Sequence, residues 1–106
     1  MKNIYWIYLA LGIVFEVLGT VCMKYAEGFT KLWPSVLVFV FYALSLALLV
    51  LVLEGYEVSI AYAIWAGAGT ALIAAIGIMF FNEPVTAAKV ISILLIIAGI
   101  VGLELF

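Results

Sequence analysis

A single carboxylate, Glu16, stands inside the first long apolar run of the sequence, which extends from about Ile4 to Met23. If that run is a membrane-spanning helix, Glu16 lies about 18 Å along it at 1.5 Å per residue, near the middle of a hydrocarbon core about 30 Å thick. An ionisable side chain at that depth is costly and usually marks a proton or substrate path. A deprotonated buried carboxylate needs a cation, whereas a protonated one does not. One site can therefore hold either a proton or a cationic substrate, which is sufficient to couple two opposite fluxes.

Small and hydroxyl-bearing residues share the helical face of Glu16. Gly12 lies four residues before it, and Gly19 and Thr20 lie three and four residues after it. Two interpretations are open, because small residues allow helices to pack closely and equally leave space for a pocket beside the acid. We therefore predict that Gly12, Gly19 and Thr20 contribute to a site around Glu16.

An aromatic pair, Tyr62 and Trp65, lies in the third apolar run, and Gly69 follows on the same helical face. Such pairs often serve packing or the membrane interface, but Trp65 lies deeper than an interfacial belt. Near a carboxylate, aromatic faces attract a large, weakly hydrated cation. Gly67 and Gly69 are either a point where the helix bends or a place of close packing, and we predict a conformational hinge there.

Two further pairs follow helical spacing. Tyr42 and Ser45 share a face of the second run, where they either line the same cavity or form hydrogen bonds across helices. Ser92 and Gly99 lie seven residues apart in the fourth run. This pattern predicts a close helix contact, within the chain or between two chains, and we assign it to a dimer contact.

The composition places all of these residues in a membrane. Of the 106 residues, 71% are hydrophobic and 9% are charged, and the mean hydropathy is +1.47. A soluble domain of this size could not bury so much apolar surface. Each apolar run has about the 20 residues that a helix needs to cross a bilayer. We predict an all-α membrane protein, with residues 1–106 forming a single domain of four transmembrane helices at about 4–23, 32–53, 58–81 and 85–105.

Several classes of function are disfavoured. The sequence has no histidine and one cysteine, Cys22, which excludes a zinc site and an intrachain disulfide. It contains no phosphate-binding G-x-x-x-x-G-K-[ST] motif, so any pumping must use an ion gradient. No nucleophile–base pair is evident. Glu16 interrupts the first run, which we expect is not a cleaved signal peptide. We predict a protein that is not an enzyme, with no metal, cofactor or nucleic-acid partner.

The charge pattern specifies membrane orientation only weakly. Lys2 lies on the side of the termini, whereas Lys24, Lys31 and Lys89 lie with the first and third loops, which favours a cytoplasmic position for those loops. The excess is small, so insertion in both orientations is compatible with the sequence. Transporters often place their site between repeats of opposite topology, and a dimer of two oppositely oriented chains would supply that symmetry. Two Glu16 carboxylates would then titrate as a coupled pair.

Four sequence blocks, in this order, carry a resemblance to a known family. They are FEVLGT at residues 15–20, MKYAEGFTKLWPS at 23–35, SIAYAIWAGAG at 59–69 and FFNEP at 80–84. With them, the sequence resembles the small multidrug resistance transporters over nearly its whole length. The resemblance implies an antiparallel dimer in the cell inner membrane that exchanges protons for cations, with Glu16 binding both.

The resemblance also implies roles for single residues. Tyr62 and Trp65 would form aromatic walls of the site, with contributions from Tyr42 and Ser45. Guanidinium exporters of the family carry a tryptophan three residues after the glutamate, where this sequence has Gly19. Together with Tyr42, this difference favours the branch that exports quaternary ammonium and lipophilic cations.

The leading hypothesis is therefore a proton-coupled exporter of such cations that works as a homodimer. A guanidinium exporter and one subunit of a heterodimeric pump, such as a polyamine exporter, are the alternatives within the family. A small accessory membrane subunit that transports nothing is the alternative outside it. The sequence departs from the family at Ser92, where the dimer motif of the fourth helix often begins with glycine.

Overall fold

Four helices connected by short turns make up the part of the chain that the structure describes. The structure is a computed structural model, and it describes residues 3–105; Lys2, on which part of the predicted topology depends, lies outside them. The helices are α1 (Asn3–Ala26), α2 (Leu32–Val52), α3 (Val58–Phe80) and α4 (Ala87–Leu105). All four are long and apolar enough to cross a membrane. The predicted all-α fold class with four membrane helices is confirmed.

The helix ends follow from backbone chemistry. In lipid every backbone N–H and C=O needs a partner, which a helix supplies internally. Pro34 lies in the first turn of α2, where its missing N–H would have had no partner in the helix. Pro84 lies in the irregular connection before α4, and α4 begins at Ala87 and not at residue 85 as the hydrophobic run suggested. At the other boundary, α1 continues past Met23 to Ala26 and includes Lys24.

The helices form a flat layer and not a closed bundle. α1 packs along α2, and α3 contacts both α1 and α4. The described chain measures 43 × 35 × 18 Å along its principal axes, so its thinnest dimension is about half of the next one. The core lies where α1 meets the ends of the neighbouring helices, and it consists of Leu9, Ile13, Val17, Val52, Ala61 and Ile64.

Helix α4 lies at the edge of this layer. None of its described residues is buried. Large apolar side chains such as Leu95, which is 68% exposed, cover its surface. Lipid tails solvate such side chains as well as protein does, so the exposed face is compatible with either lipid or a second chain.

The connection between α3 and α4 turns back onto α3. Asn82 adopts a left-handed backbone conformation with φ of 55°, which asparagine tolerates better than most residues. The backbone N–H groups of Phe81 and Glu83 both donate to the carbonyl oxygen of Gly77, each at 3.1 Å. The side chain of Glu83 is thereby brought against the bare backbone of Gly77.

A polar contact joins the opposite end of the layer. The Tyr56 hydroxyl donates to Glu104 Oε1 at 3.1 Å, and its ring lies edge-on to that of Trp6 at 6.2 Å between centroids. Burial raises the pKa of Tyr56, and the hydrogen bond and negative charge of Glu104 raise it further. This contact ties the end of α4 to the turn between α2 and α3.

The Tyr56–Glu104 contact predicts a pH dependence at alkaline pH. A folded-state pKa above the unfolded value means that the contact stabilises fully below the ordinary tyrosine pKa of about 10 and is lost as pH rises through the folded value. We expect Glu104→Gln to lower the pKa of Tyr56 part of the way, since burial persists. The test is alkaline titration of phenolate absorbance in the protein with and without Glu104→Gln. In each case the curve of the same protein carrying Tyr56→Phe is subtracted, which isolates the absorbance of this tyrosine. Identical difference curves with and without Glu104→Gln would contradict the assignment.

Candidate functional site

Glu16 lies half-buried where α1 faces α3. Its Oε2 atom lies only 2.7 Å from the position that a Cβ atom would occupy at Gly69. The carboxylate therefore rests directly on the backbone of α3, in space that any other residue at position 69 would fill. This contact brings together two residues that the sequence placed on separate helices.

The carboxylate opens into a cavity of about 220 Å³ between α1 and α3. Tyr62 and Trp65 line it, with their rings edge to face at 5.8 Å between centroids. Tyr62 is 57% exposed, so one side of the cavity is open. The cavity thus combines one carboxylate with two aromatic rings, an arrangement that attracts cations through charge and through the ring faces.

Three lining residues were not singled out from the sequence: Ala66, Thr70 and Ile73. They follow Tyr62 at four, eight and eleven residues, which is the helical spacing that already joined Tyr62 to Gly69. Ala66 already lies within that stretch, and extending the spacing by one turn beyond Gly69 would have found the other two. The Thr70 hydroxyl donates to the carbonyl oxygen of Ala66 at 2.7 Å, so its polar group is satisfied within α3.

The indole nitrogen of Trp65 is a further feature that the sequence did not indicate. Trp65 Nε1 is buried and has no hydrogen-bond acceptor among the described residues. Buried N–H groups are usually paired because an unpaired one costs free energy. Trp65 thus lines the cavity with a ring whose N–H donor is unpaired among the described residues.

Two hydroxyl groups connect Glu16 to α2. The Thr20 hydroxyl lies 3.0 Å from the backbone oxygen of Glu16 and 3.3 Å from its Oε1, and its proton can serve one of them at a time. It also lies 2.6 Å from the hydroxyl of Tyr42, which can donate to it. Tyr42, Thr20 and Glu16 thus form a continuous hydroxyl–carboxylate chain.

Gly19 provides the space for Tyr42. A Cβ atom at Gly19 would lie 3.2 Å from two ring carbons of Tyr42, closer than ordinary van der Waals contact. The ring occupies the space that a larger side chain at position 19 would need. Gly19 acts through Tyr42 and does not line the cavity around Glu16.

Ser45 and Gly12 meet each other away from the cavity. The Ser45 side chain is fully buried, and its hydroxyl donates to the carbonyl oxygen of Gly12 at 2.8 Å. This is the cross-helix hydrogen bond that the sequence left open for Ser45. In this conformation both residues hold α2 against α1, and their part in substrate binding stays a prediction.

Gly67 and Gly69 differ in their surroundings, although both lie in a continuous α3. A Cβ at Gly67 would lie 2.7 Å from Ile100 Cδ1, so Gly67 allows α4 to approach α3. Gly69 instead accommodates Glu16. Their predicted hinge role stays a prediction.

On α4, Ser92 is exposed, and a Cβ at Gly99 would meet nothing within 4 Å among the described residues. The dimer contact predicted for Ser92 and Gly99 also stays a prediction.

A second, larger cavity of about 420 Å³ lies where the C-terminal ends of α1 and α3 meet, and we call it the mouth cavity. Its lining includes Thr20, Lys24, Ile73, Gly77, Phe81 and Glu83. Within residues 3–105, no three His, Cys, Asp or Glu side chains come close enough to share a metal ion.

The four spans and the acid between them define a class: a multi-pass membrane protein with an ionisable site at the contact of two helices. Residues 4–96 match the family described as Small Multidrug Resistance protein. The chain therefore belongs to the small multidrug resistance family of membrane transporters, which in bacteria reside in the cell membrane.

Individual relatives agree with this assignment. The chain is 55% identical over 100 residues to the uncharacterized membrane protein YvaE of Bacillus subtilis, covering 94% of this chain and 84% of that protein. It is 43% identical over 101 residues to the multidrug resistance protein mmr of Mycolicibacterium paratuberculosis, covering 94% of each. It is 42% identical over 100 residues to the multidrug transporter EmrE of Escherichia coli, covering 94% of this chain and 91% of that protein.

Proposed function

We propose that this protein exports quaternary ammonium and other lipophilic cations in exchange for protons, with Glu16 binding proton and cation in turn. The observation that carries the proposal is the cavity in which the Glu16 carboxylate faces Tyr62 and Trp65. A cation entering it would gain charge pairing and aromatic contact together. A proton on Glu16 would remove the charge pairing, so the two ligands exclude each other.

The proposal includes an antiparallel dimer of two chains. A single chain forms a layer 18 Å thick, and its cavity is open on the Tyr62 side. A second chain facing this layer would close the cavity and bring a second Glu16 to it. The exposed face of α4, including Ser92 and Gly99, is available for the other part of the contact.

The environment of Gly19 supports lipophilic cations over guanidinium as substrates. The Tyr42 ring already fills the space beside Gly19, and its hydroxyl is joined to Glu16 through Thr20. An aromatic ring this close to the acid, one hydroxyl group away, suits a large apolar cation that is weakly hydrated. Guanidinium is small and donates several hydrogen bonds, and it would need more acceptors than these residues supply.

The test is proton-gradient-driven transport by the purified chain alone in liposomes. Tetraphenylphosphonium, a benzalkonium-type ammonium and guanidinium are compared side by side, with Glu16→Gln as the inactive control. We expect Glu16-dependent transport of the first two cations and little transport of guanidinium.

Each other outcome favours a different alternative. Transport of guanidinium alone would assign the chain to the guanidinium branch in spite of Gly19. Absence of transport would indicate a missing partner subunit, if adding a second four-helix subunit restores it, or an accessory role, if none does. Transport that Glu16→Gln leaves unchanged would refute the proposed mechanism.

A further inference from the structure

The mouth cavity contains a second carboxylate that the proposed exchange at Glu16 does not use. Glu83 is exposed at one end of the helix layer, yet its side chain lies against the backbone of Gly77 within the mouth cavity. The two hydrogen bonds from Phe81 and Glu83 to the Gly77 carbonyl fix the turn that brings it there. The carboxylate is thus held inward by the backbone.

Each of the two carboxylates lies against a glycine of α3. Glu16 rests on Gly69 and Glu83 rests on Gly77, eight residues further along the same helix. At 1.5 Å per residue this separates them by about 12 Å along the helix axis. Ile73, midway between the two glycines, lines both cavities, and Thr20 lines the mouth cavity while contacting Glu16. The mouth cavity is therefore adjacent to the central one.

A cation already occupies the aromatic surface of the mouth cavity. The Lys24 ammonium lies 5.8 Å from the centroid of the Phe81 ring, within the range of a cation–π interaction. Among the described residues only Lys31 and Glu27 form an ion pair, so the Lys24 ammonium is not paired with the Glu83 carboxylate. The cavity thus presents an aromatic face and a carboxylate that no described lysine neutralises directly.

We propose that the mouth cavity is a second binding site for lipophilic cations, in which the cation displaces the Lys24 ammonium from Phe81 and lies beside Glu83 before or after it occupies Glu16. This inference rests on the proposed function for its substrate class. In an antiparallel dimer the mouth cavities of the two chains would face opposite sides of the membrane. One such site would then serve capture and the other release.

The first test measures transport kinetics of tetraphenylphosphonium at moderate salt. We expect Glu83→Gln to raise the apparent KM about three- to fivefold, the range that a partly exposed charge interaction supports, with little change in kcat. Lys24→Gln should lower the KM, because it removes the competing internal cation. The matched controls are Glu27→Gln and Lys31→Gln. They make the same charge changes at the same end of the helix layer, but Glu27 and Lys31 do not line the mouth cavity. Equal changes in KM in the variants and in the controls would show that only the overall surface charge matters, which would overturn the proposal.

Gly77→Ala separates position from charge. It keeps the net charge but places a methyl group where the Glu83 carboxylate lies, so it should raise the KM as Glu83→Gln does. A KM equal to that of the unmodified protein in both variants would overturn the proposal.

The second test does not depend on transport. In Glu16→Gln protein, Phe81→Trp provides a fluorescent group in the mouth cavity, read as the difference from the same protein with Phe81. Tetraphenylphosphonium should produce a weak saturable change that Glu83→Gln abolishes and Glu27→Gln retains. No change, or a change independent of Glu83, would refute the mouth site even if the unmodified protein transports cations. A Glu83-dependent change would support the site even if proton coupling at Glu16 failed.

Discussion

Glu16→Gln is expected to abolish proton-driven cation transport while leaving the protein folded and inserted. Glutamine has nearly the shape of glutamate, so it can still rest on Gly69 and contact Thr20. It can neither carry a proton nor balance the charge of a cation. An uncompensated charge in a site of low dielectric costs several kcal/mol, so we expect transport to fall at least about a hundredfold.

Proton release gives a second measurement of the same residue. Adding tetraphenylphosphonium to weakly buffered protein should release protons from the unmodified chain, at a pH where the site is protonated, and none from Glu16→Gln. Glu16→Asp is the matched control: it retains the charge one methylene further from Gly69 and should retain exchange with altered affinity. Proton release by Glu16→Gln equal to that of the unmodified protein would show that another group carries the proton.

Gly69→Ala is expected to impair the site severely without unfolding the chain. Its methyl group would lie 2.7 Å from Glu16 Oε2, so the carboxylate must move. Because that atom is the end of a flexible side chain, the movement costs little stability, and alanine favours the helix. A displaced binding group of this kind can cost on the order of 10- to 100-fold in kcat/KM. The measurements are transport kinetics and the thermal unfolding temperature.

Gly102→Ala, on α4, is the matched control for Gly69→Ala. A Cβ atom there would meet nothing within 4 Å among the described residues, so activity and stability should change little. The kinetic pattern also tests the predicted hinge. If Gly69 serves only to bend α3, alanine should lower kcat with the KM unchanged. A raised KM would instead support steric displacement of Glu16.

Much of the architecture could be predicted because a membrane imposes simple rules. Spans of about 20 apolar residues must be helices in lipid, so composition and length alone predicted the four helices. The prediction was less accurate at helix ends. Hydropathy does not report that Asn82 turns the chain through a left-handed conformation and that α4 begins only at Ala87, after Pro84, nor that α1 continues through Lys24 to Ala26.

The candidate site was predictable within helices but not between them. Helical spacing joined Tyr62 to Trp65 and Gly69, and joined Glu16 to Gly12, Gly19 and Thr20. Spacing gives no information about which face meets which helix. It could not distinguish Ser45 bonding to Gly12 from Ser45 lining the cavity, and it gave no reason to connect Glu83 with Gly77.

The sequence by itself determined that this chain crosses a membrane four times and carries one acid in the middle of a span, because the cost of placing polar groups in lipid leaves few alternatives. Only the tertiary structure decided that Glu16 lies on Gly69, that Tyr42 lies on Gly19 and that Glu83 turns inward. These contacts depend on the rotation and offset of one helix against another. Such placement arises from the packing of many side chains together, and no local pattern in the sequence encodes it.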